Sequence, residues 1–153
     1  MGKACAIGKR QAHPRNKAKQ AFKTHEMILL LDTTVLLDVL RARLNRRSLL
    51  SELVAGGHIL ATAALNIGEV YSGMRPGEEA RTEAFLSSLQ CYPITGAVAR
   101  RAGSLKSAWA RKGKTLSFAD MIVAATALEH GLSLMTDNHK DFPLPELRFH
   151  SMS

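Results

Sequence analysis

The chain has 153 residues, enough for one domain with a sizeable core. Its apolar fraction of 46% and charged fraction of 22% are those of a soluble globular protein, and no apolar run approaches the roughly 18 residues that span a bilayer. The net charge of +8 is uneven: residues 1–26 carry seven basic side chains against the single acid Glu26, a net +6, which leaves +2 for the rest.

That basic tail has no apolar periodicity and is expected to be disordered, with a nonspecific attraction for nucleic acid. Met27 immediately precedes the first apolar run, which favours reading 1–26 as an extension upstream of the natural start. The tail lacks the apolar segment of a signal peptide, so a cytoplasmic protein is expected. Cys5 and Cys91 have no metal-ligand spacing and read as free thiols.

Met27–Leu31 is wholly apolar, as in a parallel strand buried on both faces. Asp32 ends it, and Val35, Leu36, Val39 and Leu40 then recur at helical spacing to about Leu44. A second helix near Arg47–Val54 stops at Gly56-Gly57, and His58–Ala61 reads as the second strand. Asn66–Met74 is helical until Arg75-Pro76-Gly77, and Glu78–Gln90 is the next helix. Cys91–Ile94 is a third strand and Ala97–Lys112 a helix with a basic side. Ser117 caps a helix running to Glu129 or His130 and closed by Gly131. Leu132–Met135 is the fourth strand, and Leu147–His150 a fifth at the edge. Strands alternating with helices predict a three-layer α/β/α sandwich around a mainly parallel sheet of four or five strands.

Acids stand at the ends of these elements. In open parallel sheets, functional groups gather beyond the carboxyl ends of the strands. Asp32 follows the first strand and Asp137 the fourth; Glu69 lies in the first turns of the helix after the second. Asp120 is in the first turn of its helix, where the dipole favours an anion. Carboxylates gathered on one rim repel one another unless a cation neutralises them, so the pattern points to Mg²⁺ and to nuclease or phosphotransfer chemistry. Phosphodiester hydrolysis needs an activated water and relief of charge on the phosphate, and a carboxylate-held Mg²⁺ supplies both.

The motifs Leu31-Asp32-Thr33-Thr34-Val35-Leu36-Leu37-Asp38, Asn66-Ile67-Gly68-Glu69-Val70-Tyr71-Ser72-Gly73, Phe118–Ala127 with its Ala119-Asp120-Met121, and Thr136-Asp137-Asn138-His139-Lys140-Asp141-Phe142 follow one another in that order. Together they resemble the successive motifs of PIN-domain ribonucleases, above all the VapC-type toxins of bacterial type II toxin–antitoxin systems. The resemblance covers residues 27–150. It implies a Mg²⁺- or Mn²⁺-dependent endoribonuclease, dimeric, acting on RNA and held inactive by a cognate antitoxin. Asp32 and Asp120 are then the direct metal ligands, Glu69 a ligand through water that orients the nucleophile, and Asp137 or Asp141 the fourth acid. Thr34 and Asn66 are placed to hydrogen-bond waters or phosphate oxygens. The chain departs from the family at Thr34 (usually Asn or Ser), Asn66 (commonly Thr) and Asn138 (often Asp). The last puts a complete second metal site in doubt, although Asn138 keeps a carbonyl acceptor.

Other readings are plainer. Asp38 is expected to pair with Arg41 or Arg43 on its own helix. The six histidines show no paired metal spacing, and His139 is at best a substrate contact. Arg100, Arg101, Lys106, Arg111, Lys112 and Lys114 line an RNA groove or are solvated surface, and Trp109 is core or dimer interface. A PIN fold that only binds RNA or protein is one alternative. A Mg²⁺-binding phospho-receiver is another, although its Asp after a middle strand and Lys after the last strand are missing.

Overall fold

The computed structural model describes residues 26–153, so the expectation of a disordered tail lies outside the described residues. Four parallel strands form the sheet, in the order β3-β2-β1-β4. They are β1 (Ile28–Leu31), β2 (Ile59–Ala63), β3 (Gln90–Tyr92) and β4 (Ser133–Met135). The central strand β1 carries four apolar residues, which suits a strand covered on both faces. Its side chains alternate: Leu30 packs into one core with Ala61, Ala63 and Leu134, while Leu29 and Leu31 pack into the other with Met135.

Helices cover both faces. On one side lie α5 (Gly96–Arg111) and α6 (Phe118–His130), through Val98, Ala102 and the buried run Met121–Ala127. Ala124, Ala125 and Ala127 in that run have no more than 1% of their surface exposed, so small side chains let α6 lie close to the sheet. On the other side lie α1 (Thr33–Leu40), α2 (Arg46–Ala55) and α4 (Glu79–Ser87), with Val70 of α3 (Ala64–Ser72). Ser117 caps α6 through its side chain, and Gly131 closes it at φ 64°. This is the α/β/α sandwich the alternation predicted.

Several boundaries differ from expectation, each for a local reason. Helix α1 stops at Leu40, not Leu44, because Ala42, Leu44 and Asn45 all take left-handed φ values of 51–56° to turn the chain into α2. Strand β3 ends before Pro93, which has no N–H to give a ladder, so Ile94 is outside it. The fifth strand at Leu147–His150 shrinks to one parallel bridge between Leu134 and Phe149. Leu134 N–H donates to Arg148 O at 2.8 Å, and its carbonyl accepts from His150 N–H at 2.9 Å. With only three residues, β4 has just that one residue's backbone to offer on its free edge.

Candidate active site at the carboxyl rim of the sheet

Strand β1 delivers Asp32 at its carboxyl end, where the residue becomes the N-cap of α1. The residue is 7% exposed, and its carboxylate is held at both oxygens. Oδ1 accepts the Thr33 N–H at 2.9 Å, and Oδ2 accepts the Thr136 hydroxyl at 2.8 Å. Thr136, the residue after β4, in turn accepts the Asn138 N–H at 3.0 Å. The adjacent strand ends are also tied directly, since Asp32 N–H donates to Met135 O at 3.0 Å.

Helix α3 begins where β2 ends. Asn66 is fully buried; its Oδ1 accepts Ala63 N–H at 3.3 Å and its Nδ2 donates to Thr33 Oγ1 at 2.9 Å. The Thr33 hydroxyl donates onward to Glu69 Oε1 at 2.9 Å. A chain of hydrogen bonds therefore fixes one oxygen of Glu69, an otherwise exposed side chain.

Asp120 stands in the first turn of α6, its N–H bonded to Ser117 Oγ at 3.3 Å. Its pKa is pushed up to about 6, first by burial and then by the charges of Asp32, Asp141 and Glu69, with Ser117 opposing. The N-terminal dipole of α6 is thus outweighed. Asp32 is likewise pushed above the ordinary aspartate value, chiefly by burial, then by Asp141 and Asp137; its two hydrogen bonds pull the other way. Asp32, Glu69, Asp120 and Asp141 therefore share one electrostatic neighbourhood.

The fourth-motif acids part company. Asp141 lies in the 3₁₀ turn His139–Asp141 and acts on both Asp32 and Asp120. Phe142 beside it is 2% exposed and anchors that turn in the core. Asp137 acts on Asp32 but is drawn into an ion pair, Arg46 Nη2 to Asp137 Oδ1 at 2.8 Å. Asn138 works through its backbone, its carbonyl accepting Asp141 N–H at 3.0 Å. Thr34 is set apart: its Oγ1 is buried without a hydrogen-bond partner, and the neighbouring Thr33 makes the contact with the acids.

The donor set suits a hard divalent cation, being carboxylate oxygens whose crowding already raises a pKa. Among the described residues, no three Asp, Glu, His or Cys side chains stand together at metal-chelating spacing.

Thr33, Thr136 and Arg46 were not singled out from the sequence. For Thr136 the signal was available: it directly follows a strand in the plane of Asp32. Arg46 gave none, because its partner lies 91 residues away. The expected pairing of Asp38 with Arg41 or Arg43 is absent: the ion pairs among the described residues are Arg46–Asp137 and Arg101–Glu129. Helix α1 ends before Arg43 can come round to the same face. Of the basic residues on and after α5, Arg101 is spent on Glu129, Lys106 on the Leu116 carbonyl, and Lys112 lies over the Trp109 ring at 4.6 Å. Trp109 itself is half-buried against the core.

Comparison with known proteins places the chain in a family. The PIN domain family model matches residues 29–144. Ribonuclease VapC19 of Mycobacterium tuberculosis is 33% identical over 120 residues, covering 78% of this chain and 96% of the relative. Ribonuclease VapC10 of the same organism is 32% identical over 119 residues, covering 78% and 89%. A toxin–antitoxin complex from Klebsiella pneumoniae superposes with a TM-score of 0.65 at 30% identity, covering 78% of this chain and 94% of the other. VapBC2 from Rickettsia felis, bound to a promoter DNA fragment, gives 0.73 at 22% identity, covering 83% and 100%, which speaks to the fold. With most of its length matched and its acids gathered on the rim where four parallel strands end, the chain belongs to the PIN-domain family, as a VapC-type member.

Proposed function

We propose that this protein is a cytoplasmic endoribonuclease toxin that hydrolyses RNA phosphodiester bonds with Mg²⁺ or Mn²⁺, acts as a homodimer and is silenced by a cognate antitoxin. The observation that carries the reading is the cluster of Asp32, Glu69, Asp120 and Asp141, with the Asp120 pKa at about 6. Such crowding costs stability unless the site is used, and perturbed acids in one place are a signature of chemistry. The relatives named ribonucleases support the reaction class.

Asp32 and Asp120 are the cation's direct ligands, with Asp141 as the fourth acid. A bound cation would lower the pKa of the attacking water and offset charge on the phosphate. The chain's own residues do the positioning. Thr33 and Thr136 hold Asp32 from two sides. With Oε1 of Glu69 fixed by Thr33, Oε2 is left to orient the water for attack. Asn66 sets Thr33, so its part is to stiffen Glu69 and not to meet the substrate.

An antitoxin is supported by the complexes found among structural relatives. This chain offers a suitable seat on another face, an apolar cleft of about 1120 Å³ whose lining includes Leu50, Val54, Ile59 and Phe85, with Arg47 and Arg81 on it. Val54 and Ile59 are 55% and 42% exposed, so a partner's apolar segment with acidic flanks would cover them. Among the described residues no helix is long and apolar enough to cross a membrane.

The reading is tested by incubating purified protein with structured RNA in Mg²⁺, Mn²⁺ or EDTA, beside Asp32→Asn. Cleavage that needs the cation and is lost in the variant supports an enzyme. Cleavage surviving in the variant points to a contaminant, and RNA binding without cleavage to a non-catalytic PIN module.

A further inference from the structure

A second cleft, of about 530 Å³, adjoins the acid cluster and is not needed to hold its cation. Its lining includes Arg46, Thr136, Asp137, His139, Phe149 and Met152. Thr136 is the shared wall: its hydroxyl bonds Asp32 while the residue lines the cleft. The volume lies in the range of small-ligand pockets, roughly 300–1,000 Å³.

Three features define what would fit. First, His139 stacks on Phe149, ring centroids 4.4 Å apart and planes 18° from parallel. His139 is exposed whereas Phe149 is half-buried, so the imidazole keeps solvent-facing surface beside the stack on which a further flat ring could lie. Second, the cleft is close to electrically neutral. Two nitrogens of the Arg46 guanidinium bond Asp137 at 2.8 Å and the Met152 carbonyl at 3.2 Å, its Nε is enclosed without a partner, and the side chain is only 10% exposed. A phosphate would therefore meet the Asp137 carboxylate with the Arg46 charge already paired and enclosed. Third, the Asp137 side chain is 42% exposed, and its Oδ2 has no hydrogen-bond partner among the described residues.

We infer that this cleft seats a guanine base of the RNA next to the scissile phosphate, with His139 as the stacking platform and Asp137, set by Arg46, as the group that reads the base edge. A carboxylate is acceptor-only, so it selects adjacent donors. Guanine presents N1–H and the N2 amino group side by side. Adenine and cytosine each pair an amino group with a ring acceptor that a carboxylate repels, and uracil has one N–H between two carbonyls. Arg46 is a positioning residue, since its buried guanidinium fixes Asp137 and the C-terminal segment together.

The inference rests on reading the protein as an RNA-cleaving enzyme, so binding is measured separately from cleavage. Fluorescently labelled hexauridylate and its single guanine, adenine, cytosine and inosine derivatives are titrated in EDTA. Wild-type protein should bind the guanine oligomer about tenfold more tightly than the others, and inosine, which lacks the 2-amino group, should lose most of that gain. Asp137→Asn keeps a carbonyl for Arg46 and should bring guanine down to uridine. His139→Ala should weaken every oligomer, by roughly tenfold on the usual worth of a base stack. Because inosine changes only the ligand, the test stands even if a variant folds poorly. Equal affinity for guanine and uridine, or a guanine preference that survives inosine, overturns the proposal. Wild-type protein that shows the guanine preference yet fails to cleave RNA in Mg²⁺ or Mn²⁺ would instead sink the enzymatic reading alone.

Discussion

Replacing Asp120 by Asn removes one charge from the acid cluster while keeping the side chain's shape. The folded pKa is about 6 against 3.8 for an ordinary aspartate, so the folded state binds the proton more tightly than the unfolded one. Stability contributed by this group is therefore greatest below about pH 4 and is lost as pH rises through about 6. At pH 7 the full difference corresponds to about 3 kcal/mol of destabilisation, which partial exposure reduces to about 1–2 kcal/mol. Asp120→Asn should accordingly stabilise the cation-free protein at pH 7, raising Tm by roughly 3–8 °C, with no gain at pH 4. Circular-dichroism melts in EDTA at the two pH values measure this directly. Added Mg²⁺ should raise the Tm of the wild type more than that of the variant, because the cation binds only the folded cluster. RNA cleavage should be lost at both pH values. A variant that melts lower at pH 7, or that gains equally at pH 4, would show that Asp120 is structural and that the crowding is not electrostatic.

Four further outcomes are expected. Asp32→Asn should lower the cleavage rate by at least about a hundredfold, since a direct ligand is lost; single-turnover cleavage of a labelled RNA reads it. Thr136→Val removes the donor to Asp32 and the acceptor of Asn138 N–H, and should cost about 1–3 kcal/mol in urea unfolding. Asp141→Asn should slow cleavage of a uridine-rich RNA more than Asp137→Asn does, each less than Asp32→Asn, and the reverse order would move the fourth acid to position 137. Val54→Glu, on the exposed end of α2, should weaken antitoxin binding by tenfold or more in a titration while leaving Tm unchanged.

What could be read in the sequence was whatever depends on neighbours along the chain. The apolar run of β1, the Ser117 cap and the Gly131 stop are local signals, and the fold places all three as expected. The strand-end rule pointed to Asp32, Glu69, Asp120 and Asp137; Asp141, at the end of a 3₁₀ turn past β4, follows no strand directly and came only as an alternative within the fourth motif. Hydrogen-bond partners were not legible in the same way. Thr33 and Thr34 are indistinguishable as letters, and only the direction in which α1 leaves the sheet decides that Thr33 faces Glu69. Thr136 meets Asp32 across 104 residues, and Arg46 meets Asp137 across 91. Asp38 misled for the complementary reason: the spacing rule for helical pairs holds only while the helix continues, and α1 stops at Leu40.

The backbone bond from Asp32 N–H to the Met135 carbonyl lies one step past the last paired residues of β1 and β4, Leu31 and Met135. The ladder therefore runs up to the first acid itself, and Asp32 cannot shift without unzipping two strands whose facing residues are fully enclosed. Glu69 and Asp141 ride on a nine-residue helix and a three-residue turn at the periphery. The protein thus divides into an anvil locked by the sheet's backbone ladder and a jaw held to it by side-chain contacts. Grafting residues 138–142 from another family member is therefore a direct way to exchange part of the jaw while the anvil stays in place.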